Sequence, residues 1–175
     1  MEMNKIKMNK KIEIAAAGSR PRSEKMIKQI LAASLLTMAM CFTAQAAENL
    51  KLNPHLDYTS DSQDGPLITG DHFADGAVPG KPTYAIIYGE ACFNSKRQAR
   101  RTVDLYEKYK GRVQFVVVDL DLHHSRAQSD LMKKFYKGSI PHVVVLNSDG
   151  TTAYNAAGEV DSAKISGILD KALAQ

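Results

Sequence analysis

The sequence predicts an α/β fold, a small mixed sheet with helices on both faces, and three observations carry that prediction. Two apolar runs, Thr83 to Tyr88 and Val113 to Val118, each precede a stretch whose apolar residues recur at helical spacing. The second run is continuous and β-branched, as in a strand covered on both sides. A third run, Val143 to Leu146, meets Asn147-Ser148-Asp149-Gly150, a hairpin signal leading into Thr151 to Asn155. Strands joined by helical crossovers pair in parallel, and the hairpin adds an antiparallel edge.

Taken in order, the chain divides into 1–46, 47–79 and 80–175. Residues 1–46 read as a secretory signal with an N-terminal extension. Lys25 and Lys28 make a positive region, Ile30 to Phe42 an apolar one, and Ala44-Gln45-Ala46 a small-x-small site, with cleavage near Ala46/Ala47. The apolar run has 13 residues, whereas a membrane span needs roughly 20. Met40 before Cys41 is too bulky for a lipoprotein site, and Met26 as the true start would explain the long irregular region ahead of it. The expected location is therefore periplasmic or secreted, without stable membrane insertion once the leader is cut.

Charge follows the same division. The formal net charge is +4, with a pI near 9.0. Eight of the 23 Lys/Arg and only 3 of the 19 Asp/Glu fall in 1–46, which leaves 15 basic and 16 acidic residues, a net of −1. The basicity belongs to the leader, and nothing in the remainder argues for a nucleic-acid partner.

Residues 47–79 are polar and rich in turn formers, with at most one short strand around Pro66 to Thr69, and read as an extended lead-in along the domain edge. The domain proper begins with the strand Thr83 to Tyr88. A helix follows from about Phe93 to Tyr109, with Ala99, Val103 and Tyr106 on one face and Gly111 at its end. A second helix spans about Arg126 to Lys137, with Leu131 and Phe135 inward, and stops at Gly138. Asp161 caps a last helix with Ile165, Ile168 and Leu169 inward.

The chemistry centres on one thiol. Cys41 leaves with the leader, so Cys92 stands alone and has no partner within the mature chain. In an oxidising compartment such a cysteine is buried and inert, joined to another molecule, or reactive. The strand–turn–helix order places Cys92 at the first helical turn, where unpaired N–H groups favour an anion. Helix N-termini and neighbouring cations lower a thiol below its free pKa of about 8.5, and Lys96 and Arg97 have the right sign. Lys96, Arg97, Arg100 and Arg101 otherwise read as a solvated helix face or a patch for an acidic partner. Glu90 reads either as a supporting group or as a solvated turn residue. His123-His124 beside Asp119 and Asp121 suggests a metal, but consecutive residues rarely face one centre, so no metal is expected. His142 is either a base near Cys92 or an edge-strand residue.

From these residues the stretch Gly80 to Ala174 resembles the thioredoxin-fold proteins, and Gly80-Lys81-Pro82 resembles the secreted thioredoxin-like proteins of bacteria. The family's Trp-Cys-Gly-Pro-Cys-Lys loop matches Ala91-Cys92-Phe93-Asn94-Ser95-Lys96, its Ile-Pro pair matches Ile140-Pro141, and its later glycine matches Gly158. The resemblance implies a thioredoxin-like fold and a cis Ile140–Pro141 bond. It implies a substrate groove formed by Ile140, Pro141, Ala91 and Phe93 beside Cys92. Ser95 stands where the family has its resolving cysteine, and Ile86 where it has a buried aspartate. A hydroxyl cannot resolve a mixed disulfide, so the site implied is a monothiol one, with Ser95 donating a hydrogen bond to the Cys92 thiolate.

The expected activity is monothiol thiol–disulfide exchange, as an oxidoreductase or isomerase lacking its resolving cysteine. Its partners would be protein or small-molecule thiols and disulfides, it would need no cofactor, and it would be a monomer. The alternative is a non-catalytic binding, assembly or chaperone module. A monothiol glutaredoxin, which can hold an iron–sulfur cluster with glutathione, fits less well, because it has Gly-Phe where this chain has Phe93-Asn94.

Overall fold

The computed structural model describes residues 45–175, so the leader features from Lys25 to Ala44, with Cys41, lie outside the described residues. The elements are β1 (Glu48–Leu52), β2 (Ile68–Asp71), β3 (Thr83–Tyr88), α1 (Phe93–Tyr109), β4 (Gln114–Asp119), α2 (Arg126–Phe135), β5 (His142–Leu146), β6 (Thr152–Ala157) and α3 (Ser162–Leu173). The main sheet runs β4-β3-β5-β6. β3 is parallel to β4 and antiparallel to β5, and β5 is antiparallel to β6.

Every residue of β3 and of β4 is buried, because helices cover both faces. The period-2 alternation of a strand sorts the side chains. Tyr84, Ile86, Val117, Val143 and Val145 face Leu105 and Tyr109 of α1 and Ile165 and Leu169 of α3. Ala85, Ile87, Val116, Val118 and Val144 face Leu131 and Phe135 of α2. The helix ends follow their capping residues. Gly111, with φ 78°, follows α1. Ser125 and Gln128 form a reciprocal capping box on α2. The Asp161 carboxylate accepts from the Ala163 N–H at 2.7 Å on α3. The result is the thioredoxin-like α/β fold.

The lead-in corrects one expectation. It holds two strands, not at most one, since β1 pairs antiparallel with β2 and sets Leu52 opposite Ile68. The pairing was hidden because β1 offers only two apolar residues and its register shifts between Glu48 and Lys51. The segment packs against the domain through Leu50, Tyr58, Leu67 and Ile68, which join the main core. The Tyr58 hydroxyl donates to the Leu67 carbonyl at 2.6 Å. The Tyr88 hydroxyl accepts from the Leu67 and Ile68 N–H groups at 3.1 and 3.3 Å, fastening β2 to the end of β3. No described helix is long and apolar enough to cross a membrane.

Candidate functional site

Where β3 ends, a tight turn carries the chain to Cys92. The Cys92 N–H donates to the Gly89 carbonyl at 3.4 Å, and the Cys92 carbonyl accepts from Lys96 at 3.0 Å, starting the α1 ladder. Cys92 is the N-cap of α1, with φ −94° and ψ 117°, and its side chain makes no capping bond. The thiol is free and half-exposed. Ala91 beside it is exposed, and Phe93 is half-exposed with the Arg97 guanidinium 5.0 Å above its ring.

The Ile140–Pro141 peptide bond is cis, and Pro141 is buried. Its carbonyl accepts from the Gly158 N–H at 2.7 Å, which Gly158 presents at φ 94°. The link to the thiol turn passes through Gly89. A Cβ there would stand 2.8 Å from Ile140 Cδ1, so the Ile140 side chain lies against the backbone leading to Cys92 and would have to shift for any larger residue at 89. The β3–β5 register ends with Ile87 opposite His142, which leaves Ile140 beyond the paired ladder.

Two groups expected to serve the sulfur are placed otherwise. Ser95 is fully buried and its Oγ has no hydrogen-bond partner, so the expected bond to Cys92 is not made. Lys96 is neither solvated nor turned to the thiol. It is only 1% exposed, and its Nζ donates to the Asp57 carbonyl at 2.6 Å and to Ser62 Oγ at 2.9 Å. The rest of the basic cluster is engaged as well. Arg97 and Arg101 both pair with Glu159, and Arg100 lies 5.4 Å over the Tyr58 ring. Sequence reasoning missed Asp61, whose Oδ1 accepts from the Phe93 N–H at 2.7 Å. That carboxylate, from 32 residues upstream, supplies the cap that Cys92 does not. The only signal available was turn composition, since Asp57, Thr59 and Ser60 form a side-chain-bonded turn.

Glu90 is a buried residue rather than a solvated one, at 5% exposure. Burial pushes its carboxyl upward, and the nearby charges of Asp119 and Asp121 push the same way. Asp119 is also buried, its carboxyl is raised mainly by that burial, and its Oδ2 has no hydrogen-bond partner. Asp121 Oδ2 accepts from the Glu90 N–H at 2.8 Å, fixing the turn just before Ala91 and Cys92.

The histidines fall elsewhere. His123 is exposed, and His124 Nε2 donates to the Asp119 carbonyl at 2.8 Å. Among the described residues no group of His, Cys, Asp and Glu is arranged to hold a metal. His142 is not on an edge, because β5 lies between β3 and β6. Its Nε2 contacts Asn155 Oδ1 at 2.6 Å and its ring stands edge-on to Tyr136, which follows α2. It shares the α2 face of the sheet with Val144 and Leu146, whereas Cys92 opens α1 on the other face.

No protein-family model and no curated protein matches the chain. Solved structures of similar fold include a malarial protein, 22% identical, covering 53% of this chain and 98% of that one at a TM-score of 0.44. Chloroplastic thioredoxin z is 20% identical over 55% of this chain and 81% of its own, with a TM-score of 0.45. Thioredoxin-2 of the malaria parasite, a component of its protein secretion machinery, is 21% identical over 52% and 82%, with a TM-score of 0.44.

Proposed function

We propose that this protein is exported to the periplasm or beyond and carries out monothiol thiol–disulfide exchange at Cys92. The observation that carries the reading is a free, half-exposed thiol at the N-cap of a 17-residue helix, joined through Gly89 to the Ile140–Pro141 segment. The Cys92 thiolate attacks one sulfur of a disulfide, forming a Cys92–S–S–R bond and expelling the other sulfur as a thiolate. A second thiolate, from an external thiol or from the substrate itself, then attacks the sulfur that carries R, forming a new disulfide with it and expelling the Cys92 thiolate. No net oxidation or reduction of the protein results, as befits a site with Ser95 in place of a resolving cysteine.

Ile140, outside the ladder, supplies main-chain groups for an extended substrate, with Ala91 and Phe93 forming the neighbouring surface. The partners are protein or small-molecule thiols and disulfides, met by a monomer. Incubation with an oxidised dithiol peptide is expected to give a mixed disulfide that Cys92→Ala abolishes. Absence of any Cys92 adduct refutes the exchange reading.

The second reading, a binding or assembly module, is favoured by the partnerless Ser95 hydroxyl and the engaged Lys96 ammonium. Cys92→Ala separates the two, since a binding module keeps its partner without the sulfur.

A further inference from the structure

The loop that covers the start of α1 is built around one carboxylate and held by one lysine. Asp57 Oδ1 accepts from the Thr59 N–H at 2.8 Å and from its hydroxyl at 2.6 Å, and Asp57 Oδ2 accepts from Ser60 Oγ at 2.6 Å. These bonds hold the Asp57 carboxyl down at about 2, so the turn keeps its charge across the physiological range. Tyr58 roots the loop in the core through its hydroxyl bond to the Leu67 carbonyl. Lys96, one helical turn beyond Cys92, reaches back to bind both ends of the loop, at the Asp57 carbonyl and Ser62 Oγ. At the tip, Asp61 sits on the Phe93 N–H, the amide immediately after Cys92.

We propose that residues 57–62 are an inhibitory strap on the Cys92 site, which restrains the thiol until the loop is lifted. The physical case has two parts. The free N–H groups and positive end of a helix stabilise a thiolate placed there. Here a carboxylate already takes the first of those donors, the Phe93 N–H, and sets a negative charge one residue from the sulfur. Meanwhile the lysine best placed to offset that charge spends its donors on the strap, and Arg97 and Arg101 are paired with Glu159. The other charged groups at this end of the sheet, Glu90 and Asp121, are acidic and offer no cation in place of Lys96. Lifting the strap removes a negative charge and releases a positive one in a single movement.

The proposal rests on Cys92 being the reacting group of the exchange reading, yet its test needs no partner disulfide. The readout is the rate of alkylation of Cys92 by iodoacetamide in the full chain, resolved by peptide mass spectrometry. Asp61→Asn keeps an oxygen for the Phe93 N–H and removes only the charge, and Asp61 is exposed, so the fold stands. The expected result is a rise of about threefold to tenfold, the range for one nearby partly screened charge. Lys96→Met gives a second, sign-based test. If Lys96 acts as the tether, the rate rises and the amides of Thr59 and Ser60 exchange faster with solvent. If Lys96 instead supports the thiolate, the rate falls. An unchanged or slower rate in Asp61→Asn, or a slower one in Lys96→Met, overturns the strap. Failure of Cys92 to form a mixed disulfide in a variant with raised alkylation counts against the exchange reading alone.

Discussion

Gly89 offers the sharpest test of how the thiol turn and the Ile140–Pro141 segment are joined. Its φ is not in the left-handed region, so alanine meets no backbone penalty there; the obstacle is the 2.8 Å approach of a new Cβ to Ile140 Cδ1. Carbon atoms settle at about 3.5 to 4.0 Å, so one of the two must yield by roughly 0.7 Å or more. Overpacking of this kind costs about 1 to 3 kcal/mol, offset by about 0.4 to 1 kcal/mol from the stiffer unfolded chain. The difference spans about 0 to 2.6 kcal/mol, and because Ile140 Cδ1 is the free end of a half-buried side chain that can swing aside, Gly89→Ala should fall in the lower half, at about 0.5 to 1 kcal/mol. Ile140→Val removes the very atom in the way, and at a half-buried position it costs about 0.5 kcal/mol, the low end for that change. If the contact is the cause, the double variant is no less stable than Ile140→Val alone, a coupling as large as the Gly89→Ala loss itself. Urea denaturation of the four proteins measures this directly. Additive losses would refute the idea that Gly89 is glycine because of Ile140. Trapping of the Cys92 adduct in the same set shows whether the displaced Ile140 also disturbs the substrate surface.

Two further outcomes follow from the polar groups around the turn. Glu90 and Asp119 both have raised carboxyl pKa values in the fold. As pH climbs above the ordinary carboxylate range the folded state therefore holds protons that the unfolded chain has released, and stability falls with rising pH across that window. Glu90→Gln, which is close in size and cannot ionise, should flatten that decline when urea midpoints are compared at about pH 4 and about pH 7; parallel profiles would exclude it. Tyr88→Phe leaves the Leu67 and Ile68 N–H groups without their acceptor. It should cost about 2 kcal/mol and speed the exchange of those two amides, and unchanged exchange would show that β2 is held by other contacts.

The main sheet was legible because its signals are local. β3 and α1 fall on the residues expected, Thr83–Tyr88 and Phe93–Tyr109, since an apolar run, a turn and an amphipathic repeat each declare themselves within a few residues. α2 ends at Phe135, two residues short of the expected Lys137, with Tyr136 already extended as its cap. β1 was not legible, because Glu48-Asn49-Leu50-Lys51-Leu52 carries too little alternation to announce a strand. Its partner lies across a turn-rich stretch, and such pairing is decided by the core that Leu50 and Ile68 enter together.

The same division explains the site. The position of Cys92 at a helix start could be read from strand, turn and helix in succession, but what surrounds the sulfur could not. A side chain four residues from a thiol on a helix has two directions available, and sequence spacing favours the neighbour on its own helix. For Lys96 the loop decides otherwise: the Asp57 carbonyl and Ser62 Oγ are acceptors already fixed by the Asp57 turn and the Tyr58 anchor. A buried ammonium must be hydrogen-bonded to such acceptors or it could not remain charged. A half-exposed thiol offers one weak acceptor in place of two oxygens, so the lysine turns to the loop. The distance that defeats sequence reasoning here is 39 residues of chain, which no local pattern spans.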